Sequence, residues 1–153
     1  MVNTRPDFDS LPVGGRLTDT GTHWLPVRVY YEDTDFSGVV YHARYLHFFE
    51  RGRTETLRAM GIHHSELASR EPGVAFAVRR MDIEFVRAAR VDDCLITETR
   101  FQSSKGARLL ANQVLWRSDT VVASAVVEAV CMSTAGRAIR PPKDLVERWQ
   151  RYI

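Results

Sequence analysis

From Leu25 the chain alternates apolar and polar positions. In LPVRVYYED, Val27, Val29 and Tyr31 point one way and Arg28, Tyr30 and Glu32 the other, which predicts a strand from Leu25 to Asp33 with one buried face. TDFSGVVYH interrupts the alternation, and from Ala43 the period lengthens. Leu46, Phe49, Arg53, Thr56, Leu57 and Met60 gather near one face of a long helix, with Arg51, Glu55 and Arg58 elsewhere. Gly61 follows as the residue that ends it. Gly52 lies inside this helix, where glycine costs about 1 kcal/mol relative to alanine. Its missing side chain lets another part of the chain approach closely. IHHSELASR reads as a short second helix.

After EPG the pattern is extended. VAFAVRRMDIEFVRAA sets Met81, Ile83 and Phe85 against Arg80, Asp82 and Glu84; CLITETRFQSS, ARLLANQVLWRS and TVVASAVVEAVCMST follow after short breaks. Short separations predict antiparallel pairing between neighbours. Pro141-Pro142 precedes a final helix from near Lys143, with Leu145, Val146, Trp149 and Tyr152 on its apolar side. The order is strand, long helix, then four strands. This predicts an α+β fold in which one curved, five-stranded antiparallel sheet wraps a central helix. The last strand is apolar on both faces, so assembly into a homodimer or homotetramer is expected to cover what one sheet leaves open. Residues 1–24 lack periodicity and read as a flexible arm, with Trp24 anchoring its end; residues 25–153 form the single domain.

Composition changes this picture little. A chain of 153 residues with 44% hydrophobic and 26% charged residues suits one ordinary globular domain. A net charge of +2, with basic residues scattered, argues against nucleic acid as a partner. No apolar run approaches the ~18 residues of a membrane span, and the N-terminus lacks a signal-peptide core, so a cytoplasmic address is expected. Cys94 and Cys131 form no C-x-x-C pair and read as buried, reduced thiols. His63, His64 and Glu66 lack the spacing that places two imidazoles on one helical face, so no metal site is expected.

One stretch asks for chemistry. Glu32, Asp33 and Asp35 crowd three carboxylates just before a glycine and a helix start. Acidic residues there suit the helix dipole, and Asp35 fits an N-cap or Asx-turn role. One of them also fits a catalytic carboxylate, because backbone N–H groups at a helix start converge on developing negative charge.

VRVYYEDTDFSGVVYHARYLHFFERGRTETLRAMG resembles the opening of the hotdog-fold thioesterases of the 4-hydroxybenzoyl-CoA thioesterase group. It is most similar to their Tol–Pal-associated, YbgC-type branch. The shared signature runs from Asp33 through Asp35, Gly38, Val39 and Val40 to Tyr41 and His42. IEFVRAARVDDCLITETR extends the resemblance, which covers roughly residues 25 to 150. Where that branch usually carries small residues, often Ala-Gly, this chain has Phe36-Ser37, which is expected to reshape the acyl pocket.

The resemblance implies hydrolysis of an acyl-CoA thioester to a free acid and CoA, with no cofactor. A thioester needs little: a carboxylate that attacks or activates water, and donors for the oxyanion. By resemblance Asp35 is that carboxylate, either nucleophile or general base. The His42 backbone N–H polarises the carbonyl, and its imidazole is also implicated. Gly38 permits close backbone approach, against a plain turn role. Tyr31 stands beside the aspartate by resemblance, whereas its alternation favours core packing. Lys105 and Arg108 match positions whose cations meet the CoA phosphates, against the alternative of a solvated hairpin tip. Glu50 and Arg53 are expected to pair along the helix. The pocket is expected between subunits, as in relatives, and the branch brings an association with envelope or lipid-synthesis proteins. Two other readings stand beside this one: a hydratase or dehydratase of acyl thioesters on the same fold, and a non-catalytic acyl-CoA-binding or interaction module.

Overall fold

The computed structural model describes residues 5–102 and 106–153. Its elements in chain order are β1 (Arg16–Leu17), β2 (Thr22–Arg28), α1 (His42–Ala59), α2 (His64–Ala68), β3 (Val74–Phe85), β4 (Cys94–Phe101), β5 (Arg108–Arg117), β6 (Thr120–Ser133) and α3 (Lys143–Gln150). The strands form one antiparallel sheet in the order β1-β2-β4-β5-β6-β3. The architecture is α+β, as expected, but with six strands rather than five. The extra strand, β1, comes from the segment read as an arm. It pairs Arg16 with Trp24 and Leu17 with His23, and β2 itself begins at Thr22, ahead of Leu25.

β2 also ends sooner than its alternation suggests. At Tyr30 the backbone N–H turns to the Asp33 carboxylate (2.8 Å), and the Asp33 N–H returns to the Tyr30 carbonyl (3.0 Å). This local hydrogen-bonded turn competes with the ladder and wins. Tyr31 therefore sits on the turn, 86% exposed, and not in the core.

A second departure concerns β3. It does not pair with β4, its neighbour in sequence. The link between them is held across the sheet: the Val86 and Arg87 N–H groups both donate to the Val122 carbonyl, and the Val40 N–H donates to the Ala89 carbonyl. The chain is thus carried past the helix start, and β3 pairs instead with β6, from Val74↔Ser133 to Phe85↔Ala123. One edge of its 12 residues has no strand beside it among the described residues.

Helix α1 fills the concave face. Tyr45, Phe48, Phe49, Gly52, Thr56 and Leu57 are its buried residues, whereas Leu46 is 41% exposed. The buried stripe is thus rotated from the one read in the sequence. At Gly52 the helix touches the sheet: a Cβ built there lies 2.7 Å from Thr97 Cγ2, 2.8 Å from Thr99 Oγ1 and 3.0 Å from Gln113 Nε2. Close approach is why this position lacks a side chain, although the approaching atoms are side chains rather than backbone. Gln113 joins the layers, donating to the Phe49 carbonyl and Thr99 Oγ1 and accepting from Arg53 Nη1. Gly61 takes the left-handed conformation at φ 77° and ends the helix.

Helix α3 begins at Lys143, buries Leu145 and Trp149, and packs Trp149 at a tilt against Phe76. Its Asp144 pairs through both carboxylate oxygens with Arg70 at the end of α2. Cys131 is buried, and desolvation pushes its thiol up to about 11; Cys94 is partly exposed.

Candidate active site

The turn before α1 is built from its carboxylates. Asp33 is buried at 3% exposure. One oxygen accepts the Tyr30 N–H, the other faces Arg44 Nε at 3.7 Å, and its carbonyl accepts the Tyr41 N–H at 2.9 Å. Arg44 also donates to the Glu32 carbonyl. One acid therefore locks the end of β2 to the first turn of the helix. It is a positioning residue that the sequence pattern does not set apart from ordinary turn polarity. The available signal is the spacing of Asp33 three residues after Tyr30, which lets a carboxylate reach back to a backbone donor.

Asp35 occupies the tip that follows. Thr34 and Val40 bridge as an isolated antiparallel pair, the Asp35 N–H donates to the Val39 carbonyl, and the Gly38 N–H donates to the Asp35 carbonyl. Gly38 holds φ 79°, which a side chain rarely adopts, and nothing lies within 4 Å of a Cβ there. Its turn role and an open approach to its backbone hold together. Ser37 donates to Asp35 Oδ1 through both its N–H and its hydroxyl. Those bonds, the hydroxyl first, hold the Asp35 carboxyl below the usual range, with a smaller contribution from nearby His42. Asp35 is thus ionised at neutral pH, with Oδ2 free of these bonds.

The carboxylate is exposed. The fold of a single chain thus leaves this candidate catalytic acid open to solvent. Phe36, beside it, is also fully exposed.

His42 is the first residue of α1. Among the described residues no acceptor in the chain takes its backbone N–H. Its ring packs edge-on against Phe85, with centroids 6.5 Å apart, and lines a 260 Å³ cleft with Tyr45, Val86 and Arg87. The cleft floor is fixed by Tyr45, whose buried hydroxyl accepts the Ala89 N–H at 3.1 Å. Tyr45 and Phe85 support His42 without contributing chemistry of their own.

Tyr31, Asp35, Gly38 and His42 thus belong to one connected turn and helix start. Arg108 does not join them. It begins β5 opposite Val130, which pairs on its other side with Ala77 of β3, whereas His42 packs at Phe85. By strand rise these two points along β3 lie roughly 25 Å apart. Arg108 is exposed and pairs with Glu128 at 3.5 Å. Lys105 lies outside the described residues. Glu50 and Arg53 do not form the expected pair: Glu50 accepts from Thr54, and Arg53 turns inward to Gln113. Both instead line a 140 Å³ cavity between α1 and β3, with Phe76, Val78, Phe101 and Leu109 among the other walls.

Residues 29–149 match the model of the thioesterase-like superfamily. The chain belongs to that superfamily. This thioesterase-like chain is 49% identical over 108 residues to the acyl-CoA thioesterase YbgC of Haemophilus influenzae, covering 71% of this chain and 79% of that protein. It is 42% identical over 128 residues to the acyl-CoA thioester hydrolase YbgC of Escherichia coli, covering 82% and 94%. The solved structure of a probable thioesterase from Bartonella henselae superposes with a TM-score of 0.76 at 44% identity, over 79% of this chain and 99% of that one. The superfamily match begins at Val29, so β1 and β2 lie outside it.

Proposed function

We propose that this thioesterase-like chain hydrolyses acyl-CoA thioesters to a free acid and CoA, acting in the cytoplasm as a homodimer or a larger homo-oligomer. The observation that carries the chemistry is one short segment: an ionised Asp35 on a glycine turn, directly ahead of a helix whose first N–H, at His42, has no partner among the described residues. In this reading Asp35 Oδ2 either attacks the thioester carbonyl, forming a mixed anhydride that water then hydrolyses to the free acid, or draws a proton from a water that attacks the carbonyl itself. The negative charge that develops on the carbonyl oxygen meets the His42 N–H, and the CoA thiolate leaves. A donor already aimed at that charge is worth roughly a hundred- to thousandfold in rate.

The exposure of Asp35 supports placing the working pocket between subunits. A carboxylate open to bulk water activates poorly, and a second copy excludes that water. It also explains how Arg108 serves the CoA phosphates although it stands far from His42 in its own chain. Asp35→Asn keeps the size and both Ser37 bonds yet removes the charge. Thiol release from a panel of short, long and aromatic acyl-CoAs tests it: turnover is expected to fall by roughly a hundredfold or more with the circular dichroism spectrum unchanged. Equal turnover of mutant and parent on a responsive substrate would defeat the assignment.

A further inference from the structure

The main chain at Asp35 is held by the Thr34–Val40 bridge, by the Asp35 N–H on the Val39 carbonyl at 3.1 Å, and by the Gly38 N–H on the Asp35 carbonyl at 3.0 Å. None of these fixes the side chain. It is exposed, and an aspartate in water turns freely between staggered states at its first torsion and more broadly at its second. Among the described residues, Ser37 supplies every hydrogen bond that the carboxylate accepts from the protein, through its N–H at 2.8 Å and through its hydroxyl. Both donors reach the same oxygen, Oδ1. A pair of donors on one atom, offered from a fixed main chain, sets where Oδ1 lies and therefore where Oδ2 lies. The other charges of the turn are occupied elsewhere. Asp33 accepts from Tyr30 and faces Arg44, which also donates to the Glu32 carbonyl. From α1, His42 bears on Asp35 in the same sense as Ser37, favouring the charged form.

We infer that Ser37 is a positioning residue for the proposed hydrolysis: by holding Oδ1 it turns the Asp35 carboxylate so that Oδ2 is the oxygen presented to the thioester, or to the water that attacks it. This role rests on the hydrolytic reading, and it falls to a side chain that touches no reacting atom. The hydroxyl carries more of it than the N–H does. Any residue but proline offers the N–H at position 37, whereas the second donor comes from the serine side chain. Of the two bonds, the hydroxyl's also does more to keep the carboxyl ionised. That matters once a pocket closes over the turn. Removing water from a carboxylate favours its protonated form, and donors within the same turn stay with it when the water leaves. A carboxylate that relied on water alone would lose both its orientation and its charge there.

Ser37→Ala removes the hydroxyl and keeps the N–H. Thiol release from a responsive acyl-CoA, followed across pH with the circular dichroism spectrum unchanged, tests the role. At neutral pH, where Asp35 is ionised in both proteins, kcat is expected to fall roughly tenfold with KM unchanged, because the orientation lost is that of the reacting group. A more basic carboxylate would by itself react faster, so a fall reports orientation and not basicity. The acid limb of the profile is expected to move to higher pH, and an NMR titration of the Asp35 carboxyl to move with it. Ser37→Thr keeps a hydroxyl and is expected to restore both. In an Asp35→Asn background, Ser37→Ala is expected to cost nothing further, because Ser37 acts through the carboxylate. Parental kcat in Ser37→Ala overturns the inference. So does a fall in kcat with neither the acid limb nor the NMR titration moved, which assigns Ser37 a structural part alone. Ser37→Thr behaving like Ser37→Ala, or a further loss in the Asp35→Asn background, overturns it too. A parent that releases no thiol, or an Asp35→Asn protein as active as the parent, defeats the hydrolytic reading and the positioning role with it, whereas the other outcomes leave that reading standing.

Discussion

Gly52→Ala places one methyl group into the contact between the central helix and the sheet. In an isolated helix the change stabilises by about 1 kcal/mol. Here the new Cβ lies within 3.0 Å of three side chains. None yields cheaply. Thr97 and Thr99 are stiff, β-branched and fully buried, and Gln113 at 1% exposure is held by Phe49, Thr99 and Arg53. Inserting a methylene into a packed core costs about 1–3 kcal/mol, and losing one Gln113 hydrogen bond adds about 1 kcal/mol. The net is a loss of about 2 kcal/mol, or a melting temperature lower by about 4–8 °C for a chain of this size. Urea and thermal unfolding at one fixed protein concentration measure it, with Arg51→Ala on the exposed face expected within about 0.5 kcal/mol of the parent. A Gly52→Ala protein as stable as the parent, or more so, would refute the reasoning. It would mean that the helix slides off the sheet at little cost and that the glycine does not exist for the contact.

Two other buried groups give measurable behaviour. His23 is fully buried, and burial lowers its pKa to about 4, against an opposing contribution from its hydrogen bond with the Gly14 carbonyl. Because the unfolded chain takes up the proton first, near its ordinary value of 6.5, this contribution to stability is complete above that pH and is lost as pH falls toward 4. Urea unfolding free energies at about pH 7.0 and about pH 4.5 should differ by up to about 2–3 kcal/mol more in the parent than in His23→Gln; equal pH dependence in the two would remove His23 as the cause. The raised pKa and burial of Cys131 predict that a chromogenic disulfide near pH ~8 titrates Cys94 alone in the native protein and both thiols in urea. Two thiols reacting at one rate without urea would contradict this.

The turn around Asp35 shows why local and tertiary information divide as they do. Spacing and resemblance identify Asp35, Gly38 and His42 as neighbours, because a short turn into a helix leaves little freedom in where they go. What these residues face is not legible in the sequence. Tyr31 reads as inward because alternation counts residues and does not register a carboxylate two positions on. In the fold that carboxylate, Asp33, captures the Tyr30 N–H and closes the strand. Arg108 stands apart from His42 because Arg108 begins β5 level with Ala77 of β3 whereas His42 packs at Phe85, a register that the sequence does not reveal.

The sequence by itself determined the element types and most of their limits: the long helix stopped by Gly61, the closing helix at Lys143, and the glycine reserved for contact at position 52. These follow from backbone preference and periodic burial, which act over a few residues. Tertiary structure alone decided the strand order, the sixth strand, the rotation of the buried stripe that exposes Leu46, and the exposure of Asp35. Those depend on which surfaces compete for the same neighbour. That competition is settled by packing and hydrogen bonding between residues far apart in the chain, for which a one-dimensional pattern carries no term.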